Sequence, residues 1–150
     1  MEAVLGSFFI MRFFLLTSFF CFFIVNFSFT QNNSESAQSP MMLAQKQLDA
    51  YNNGDIEAFM EVFHEEISIW DFNANSPSID GFENAKKRYK DLFNSSPNLH
   101  CEVVNRSAIG NKVLDYEIVT GIRGSDEVVT LIMVYEIKDG KIWKATAIRP

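Results

Sequence analysis

The last third of the chain constrains the fold most. Between Leu99 and Ile148 four runs rich in β-branched and aromatic residues, 99–109, 113–122, 128–138 and 142–148, are separated by Gly110-Asn111, Gly124-Ser125-Asp126 and Asp139-Gly140. Gly-Asn and Asp-Gly between such runs are hairpin signals, because both tolerate the positive φ that a tight turn needs. Three consecutive hairpin connections predict an antiparallel meander. One face of such a sheet must be covered by something apolar.

The cover lies upstream. From about Met41 the spacing of Ala44, Leu48 and Tyr51 predicts a helix that stops at Asn53-Gly54, where glycine supplies the left-handed terminal position. Asp55 is placed to cap a second helix with Ile56, Phe59, Met60 and Phe63 in one stripe. The alternation over 67–72 predicts a strand, and 73–78 reads as a loop. Asp80-Gly-Phe-Glu83 has capping-box spacing ahead of a third helix with Phe82, Ala85, Tyr89, Leu92 and Phe93 on one side. Lys86, Lys87, Arg88 and Lys90 on its other faces read as solvated surface, with an anion-binding patch as the alternative. Asn94-Ser-Ser-Pro97 ends it. The predicted order is α-α-β-α-β-β-β-β, an α+β fold of three helices packed on a curved, mainly antiparallel sheet that encloses a conical cavity.

The 150 residues allow one domain once the first thirty are set apart. Met11-Arg12 opens a short positive segment, residues 13–27 are apolar, and Ser28 and Thr30 place small residues at −3 and −1 before Gln31. Residues 1–30 thus read as a signal peptide, with Met11 as an alternative start, and the product as secreted or periplasmic. An uncleaved anchor through Phe8–Phe27, interrupted only by Arg12, is the alternative. Residues 31–40 are polar and aperiodic and read as a disordered linker, leaving 41–150 as the domain. The net charge of −6 is the same with or without residues 1–30, which hold only Glu2 and Arg12. That acidity excludes a nucleic-acid footprint and disfavours anionic lipid, so no membrane contact is expected beyond the N-terminal segment. Cys21 lies in the apolar segment, so the remaining Cys101 cannot form an internal disulfide and reads as a buried, inert thiol.

The Asn53-Gly54-Asp55 turn, the short strand ending in Asp71, the Gly81-Phe82-Glu83 helix start and the hairpin Tyr135-Glu-Ile-Lys-Asp-Gly-Lys-Ile142 together resemble the nuclear transport factor 2-like superfamily over Met42 to Ile148. That superfamily includes ketosteroid isomerases, polyketide cyclases of the SnoaL type and many uncharacterised proteins. The segment from Pro97 to Arg106, with Val119-Thr120-Gly121, is similar to a SnoaL-like subgroup without established activity. The resemblance implies a cone-shaped fold and an apolar pocket for a small organic molecule. It also implies a homodimer through the sheet. In the isomerases an aspartate at the end of the first strand moves the proton, while a tyrosine and a protonated aspartate donate to the oxyanion. Counted from the shared turn, the base falls on Asp71, the tyrosine on Gln47 and the sheet aspartate on Met133. The donors are missing, so steroid isomerisation by that route is not expected.

Two functions follow from these residues. One is a non-catalytic small-molecule-binding domain. The other is a cofactor-free isomerase, cyclase or dehydratase in which Asp71 or His100 carries the proton. Asp71 has its own alternative as a structural residue that accepts backbone N–H bonds from loop 73–78. His100, Glu102 and Arg106 alternate along one strand, which predicts a shared face; Asp115 and Glu117 do the same on the next. Such a face is either a surface ion-pair ladder or a polar pocket. The alternation Val129, Leu131, Met133, Tyr135 fits a cavity wall or plain core. Gln47, Trp70, Phe72, Tyr89, Phe93, Glu102, Glu117, Met133 and Tyr135 are the expected pocket residues. No phosphate loop, nucleophile elbow or metal-ligand cluster is present in the sequence, so no cofactor or metal is expected. His64 reads as exposed at a helix end.

Overall fold

The computed structural model describes residues 39–150, and its first residue, Ser39, already caps a helix. The Ser39 hydroxyl accepts the Met42 N–H at 3.2 Å, and Pro40, which has no N–H to lose, occupies the first turn of α1 (Pro40–Asn53). The linker expected over 31–40 therefore gives up its last two residues to the cap. The rest of it and the expected signal peptide lie outside the described residues. Among the described residues no helix is long and apolar enough to cross a membrane.

Helix α1 ends on Gly54 at φ 63°, whose N–H reaches the Ala50 and Tyr51 carbonyls. Asp55 caps α2 (Ile56–Glu61) by accepting the Glu57 and Ala58 N–H groups at 3.1 and 3.0 Å. Phe63, expected on the stripe of α2, instead opens strand β1 (Phe63–Asp71), because it pairs with Ile142 while the Ile142 N–H donates to the Val62 carbonyl at 2.9 Å. Tertiary pairing overrides local helix periodicity here. His64 consequently lies half-buried in the strand, its Nδ1 accepting the Glu66 N–H at 3.0 Å, and not at an exposed helix end. A two-residue strand β2 (Ile79–Asp80), too short to leave a sequence pattern, pairs antiparallel with β1. Helix α3 (Phe82–Ser95) starts without the expected capping box. Gly81 holds the cap position at φ 85°, and Asp80 contributes its backbone carbonyl to the Asn84 side chain at 2.6 Å.

The meander forms as predicted, with β3 (His100–Ile109), β4 (Lys112–Thr120), β5 (Val129–Lys138) and β6 (Lys141–Ile148). A single 3₁₀ turn (Ile122–Gly124) sits between β4 and β5. Strand order is β2-β1-β6-β5-β4-β3, antiparallel except for the β1–β6 pair. The result is an α+β architecture of three helices on one curved, open, mixed sheet. Phe59, Leu43, Met60, Ile67 and Ile142 form the centre of the core at 2 % exposure or less. Tyr51, Phe59, Phe63, Tyr89 and Phe93 join into one aromatic cluster, with Phe59 and Tyr89 centroids 4.4 Å apart.

One irregularity repositions the chemistry of the sheet. Val103 pairs with Glu117, but Asn105 pairs with Tyr116, so Val104 is an inserted residue. A bulge of this kind reverses the side-chain alternation beyond it. Cys101 and Arg106 therefore both face the helices, whereas His100 and Glu102 face outward, contrary to the shared face that simple alternation predicts for His100, Glu102 and Arg106.

Candidate functional site

Between α1, α3 and the concave side of the sheet lies a cavity of about 700 Å³, within the range of small-molecule sites. The sequence of β6 explains the space. Beyond Ile142, its inward positions are Ala145 and Ala147, paired with Tyr135 and Met133 on β5, so this end of the strand turns only methyl groups toward the helices. Leu48 on α1, Ile69 on β1 and Val129, Leu131 and Met133 on β5 give the wall its apolar part. The β5 alternation singled out in the sequence runs along this wall in full, ending at Tyr135.

A polar group is set into that wall. The Tyr135 hydroxyl is 3.0 Å from Glu117 Oε1 and 3.2 Å from Gln47 Oε1, and all three residues are buried. A phenol has one proton and donates to one of the two at a time. With Glu117 ionised, the hydroxyl donates to the carboxylate and the Gln47 amide, turned about, donates to the phenol oxygen. With Glu117 protonated, its O–H donates to Tyr135 and Tyr135 donates to Gln47 Oε1. The trio thus accommodates either protonation state without an orphaned donor.

The energetics place Glu117 between those states near neutrality. Burial pushes its carboxyl up from 4.5 to about 7, against the hydrogen bond from Tyr135, and the neighbouring Asp115 adds to the rise. Asp115 is wholly buried and stays paired: Arg106 Nε and Nη2 meet its two oxygens at 2.7 and 2.6 Å, and Arg106 Nη1 donates to Gln45 Oε1 at 2.7 Å. The Cys101 thiol also lies beside Glu117, and burial raises its pKa well above the ordinary range. It is buried, as the sequence suggested, and on the cavity wall.

The mouth is built from different chemistry. Asp71, at the end of β1, is half-exposed and paired with Arg149, just past β6. Its carboxylate does not hold the following loop, since the Ala74 N–H goes to the Asp71 backbone carbonyl at 3.0 Å. Arg88 on α3 lies at the same rim. Burial and Glu117 push Tyr89 up to about 12, against the charges of Arg149 and Arg88. Trp70 donates to Ser68 Oγ at 2.9 Å, with the Lys144 ammonium 5.2 Å from its ring centre.

Of the residues expected from sequence, Gln47, Trp70, Asp71, Tyr89, Glu117, Met133 and Tyr135 come together on this cavity. Four do not. His100 and Glu102 are exposed on the outer face, carried there by the strand phase ahead of the bulge. Phe72 lies in the turn just past β1 and is 58 % exposed. Phe93 packs 5.5 Å from both Tyr51 and Phe59 in the aromatic cluster behind the wall. Sequence reasoning did not place Arg88, Cys101, Tyr51 or Arg149 at the cavity. For Arg88 the signal was present but diluted among three neighbouring lysines on the same helix. Among the described residues no group of three or more His, Cys, Asp or Glu is gathered as for a metal.

Comparison with known proteins gives the following. The sequence model of the SnoaL-like domain matches residues 44–145. None of the curated proteins matches. Among solved structures, an uncharacterised cystatin-fold protein from Novosphingobium aromaticivorans superposes with a TM-score of 0.68 at 22 % identity, covering 74 % of this chain and 98 % of its own. An LEH-like epoxide hydrolase from M. tuberculosis gives 0.65 at 14 % identity, covering 74 % and 82 %. A protein of ketosteroid isomerase-like fold from Catenulispora acidiphila, in complex with trimethylamine, gives 0.60 at 15 % identity, covering 70 % and 82 %.

Proposed function

Because the chain belongs to the SnoaL-like domain family, within the nuclear transport factor 2-like superfamily, we propose that it is an exported domain that binds a small organic molecule in the cavity between its helices and sheet. The observation that carries this reading is a cavity of about 700 Å³ with an apolar inner wall around Leu48, Ile69, Leu131 and Met133, a charged mouth, and one buried polar trio, Gln47, Tyr135 and Glu117. A few convergent polar groups in an apolar enclosure are what orient a small ligand. The related folds include an epoxide hydrolase and a complex with trimethylamine, two proteins that handle small molecules. Export rests on the Met11-Arg12 start and the apolar run of 13–27. A homodimer through the outer face of the sheet is the matching proposal for assembly, supported by the exposed, paired Tyr116 and Ile132 and the neighbouring Val104.

The test of the cavity is a fluorescence titration with 1-anilinonaphthalene-8-sulfonate. One site is expected, and Met133→Trp, which fills the cavity from β5, abolishes it. Full dye binding in that variant would remove the cavity as the ligand site.

A catalytic reading has one specific observation in its favour, the Glu117 carboxyl held near neutrality by burial. A carboxylate with such a pKa takes a proton from a bound carbon or oxygen acid and returns it at low cost at neutral pH. In this reading Glu117 is the proton carrier in place of Asp71 and His100. Asp71 is an ion-paired rim residue and His100 is on the far side of the sheet. Gln47 is then the neutral donor to the charge that develops on the ligand.

A further inference from the structure

We propose that the ligand is an amphiphilic monocarboxylate that binds with its acid group at the mouth, against Arg88, and its apolar body inward toward Tyr135. This deepens the binding reading and rests on it. The cavity is polarised along its depth. At the rim, Arg88 and Arg149 line the cavity together with Tyr89, and Asp71 pairs with Arg149. Among the described residues no carboxylate lies within ion-pair distance of Arg88. A net positive rim on a chain of charge −6 is a local exception that a ligand anion would complete, and a guanidinium offers it the forked donor geometry that a carboxylate matches.

The deep end selects the same orientation by the cost of desolvation. Glu117 is buried there beside the Asp115–Arg106 pair, whose charges already cancel. A ligand carboxylate driven inward would lose its water in a buried site whose cation, Arg106, is already paired with Asp115, and the ionised fraction of Glu117 would repel it. An uncharged hydroxyl or carbonyl fits that end, because Tyr135 and Gln47 exchange donor and acceptor roles with it. Between the two ends, Leu48, Ile69, Leu131 and Met133 leave an apolar passage for a hydrocarbon or aryl body.

The competing charge class is an organic ammonium, which would sit against Glu117 among Tyr51, Tyr89 and Tyr135 as a cation–π ligand. Three isosteric probes separate the classes by calorimetric titration of the protein at pH 7: 4-phenylbutyrate, 4-phenylbutanamide and 4-phenylbutylammonium. The acid is expected to bind at least threefold tighter than the amide, the order that a rim-exposed charge pair supports, with the ammonium weakest. Raising salt to 0.5 M should narrow the gap. Arg88→Met, an exposed substitution, should bring the acid to the level of the amide and leave the amide unchanged. Equal binding of acid and amide, tightest binding of the ammonium, or an acid affinity untouched by Arg88→Met would each overturn the head-group assignment while leaving the cavity as the site. Failure of all three probes, with no competition against the naphthalene dye, would instead remove the binding reading itself and this proposal with it.

Discussion

Glu117 gives the sharpest quantitative test of the site, through the pH dependence of stability and without any ligand. Its carboxyl titrates at about 7 when folded against 4.5 when unfolded. Between those values the native state holds a proton that the unfolded state has released, so stability falls as pH rises through the window. The favourable contribution is complete below about 4.5 and lost as pH passes through about 7. At about 1.4 kcal/mol per pH unit the full loss is about 3 kcal/mol. Glu117→Gln removes the titration and keeps a hydrogen-bonding group of the same shape. Urea denaturation of both proteins from pH 4 to 8.5 is the assay, and the difference between them cancels every other ionisable group. The Gln variant should gain on the natural protein by about 3 kcal/mol between the acid and alkaline ends, which for a domain of this size is roughly ten degrees in melting temperature. A difference that stays flat across the range would mean that Glu117 is solvated like a surface carboxyl. The proton-carrier reading would then be lost.

Three other substitutions probe the frame around it. Arg106→Leu leaves Asp115 buried without its partner and should cost about 3–5 kcal/mol at pH 7, measured by urea denaturation. Asp71→Asn should change stability by less than about 1 kcal/mol, because the pair with Arg149 is half-exposed, and a larger loss in thermal melts would mean that Asp71 ties down more than that pair. Gly121→Ala should be severe: residue 121 sits at φ 73°, and a β-carbon there would come within 2.0 Å of the Asn98 carbonyl oxygen, so soluble yield and melting temperature should both drop sharply.

Much of the fold was legible because it is set by local chemistry. Gly54 and Asp55 end one helix and start the next through groups that act over three residues, and both were readable in order. The hairpin between β5 and β6 turns at Asp139 and Gly140, both at positive φ as the Asp-Gly signal implies. What escaped was non-local. Phe63 completes a helical stripe in the sequence yet enters a strand because Ile142, far along the chain, pairs with it. Asp80 and Glu83 have the spacing of a capping box, but Asp80 is held in β2 by Ser68 of β1, and the helix begins without a side-chain cap.

The site was legible in its composition and illegible in its arrangement, and one residue accounts for the difference. Reading β3 as a regular strand puts His100, Glu102 and Arg106 on one face, which invites a histidine–carboxylate pair as the reactive group. Val104 adds one residue to that strand, and the alternation reverses beyond it. Arg106 thereby turns inward to the buried Asp115, and His100 is left on the outer face with Glu102. Had the strand been regular, the buried Asp115 would have lacked its cationic partner. With Arg106 inside, both Asp115 oxygens are paired, and Glu117 is the carboxyl without a cationic partner, raised by burial first and by the neighbouring Asp115 next. No single-sequence periodicity marks a bulge between Val103 and Asn105, since every residue from Cys101 to Asn105 is acceptable in a strand. The division of labour between the two carboxyls is set by strand register, which is a property of the pair β3–β4 and not of either segment alone.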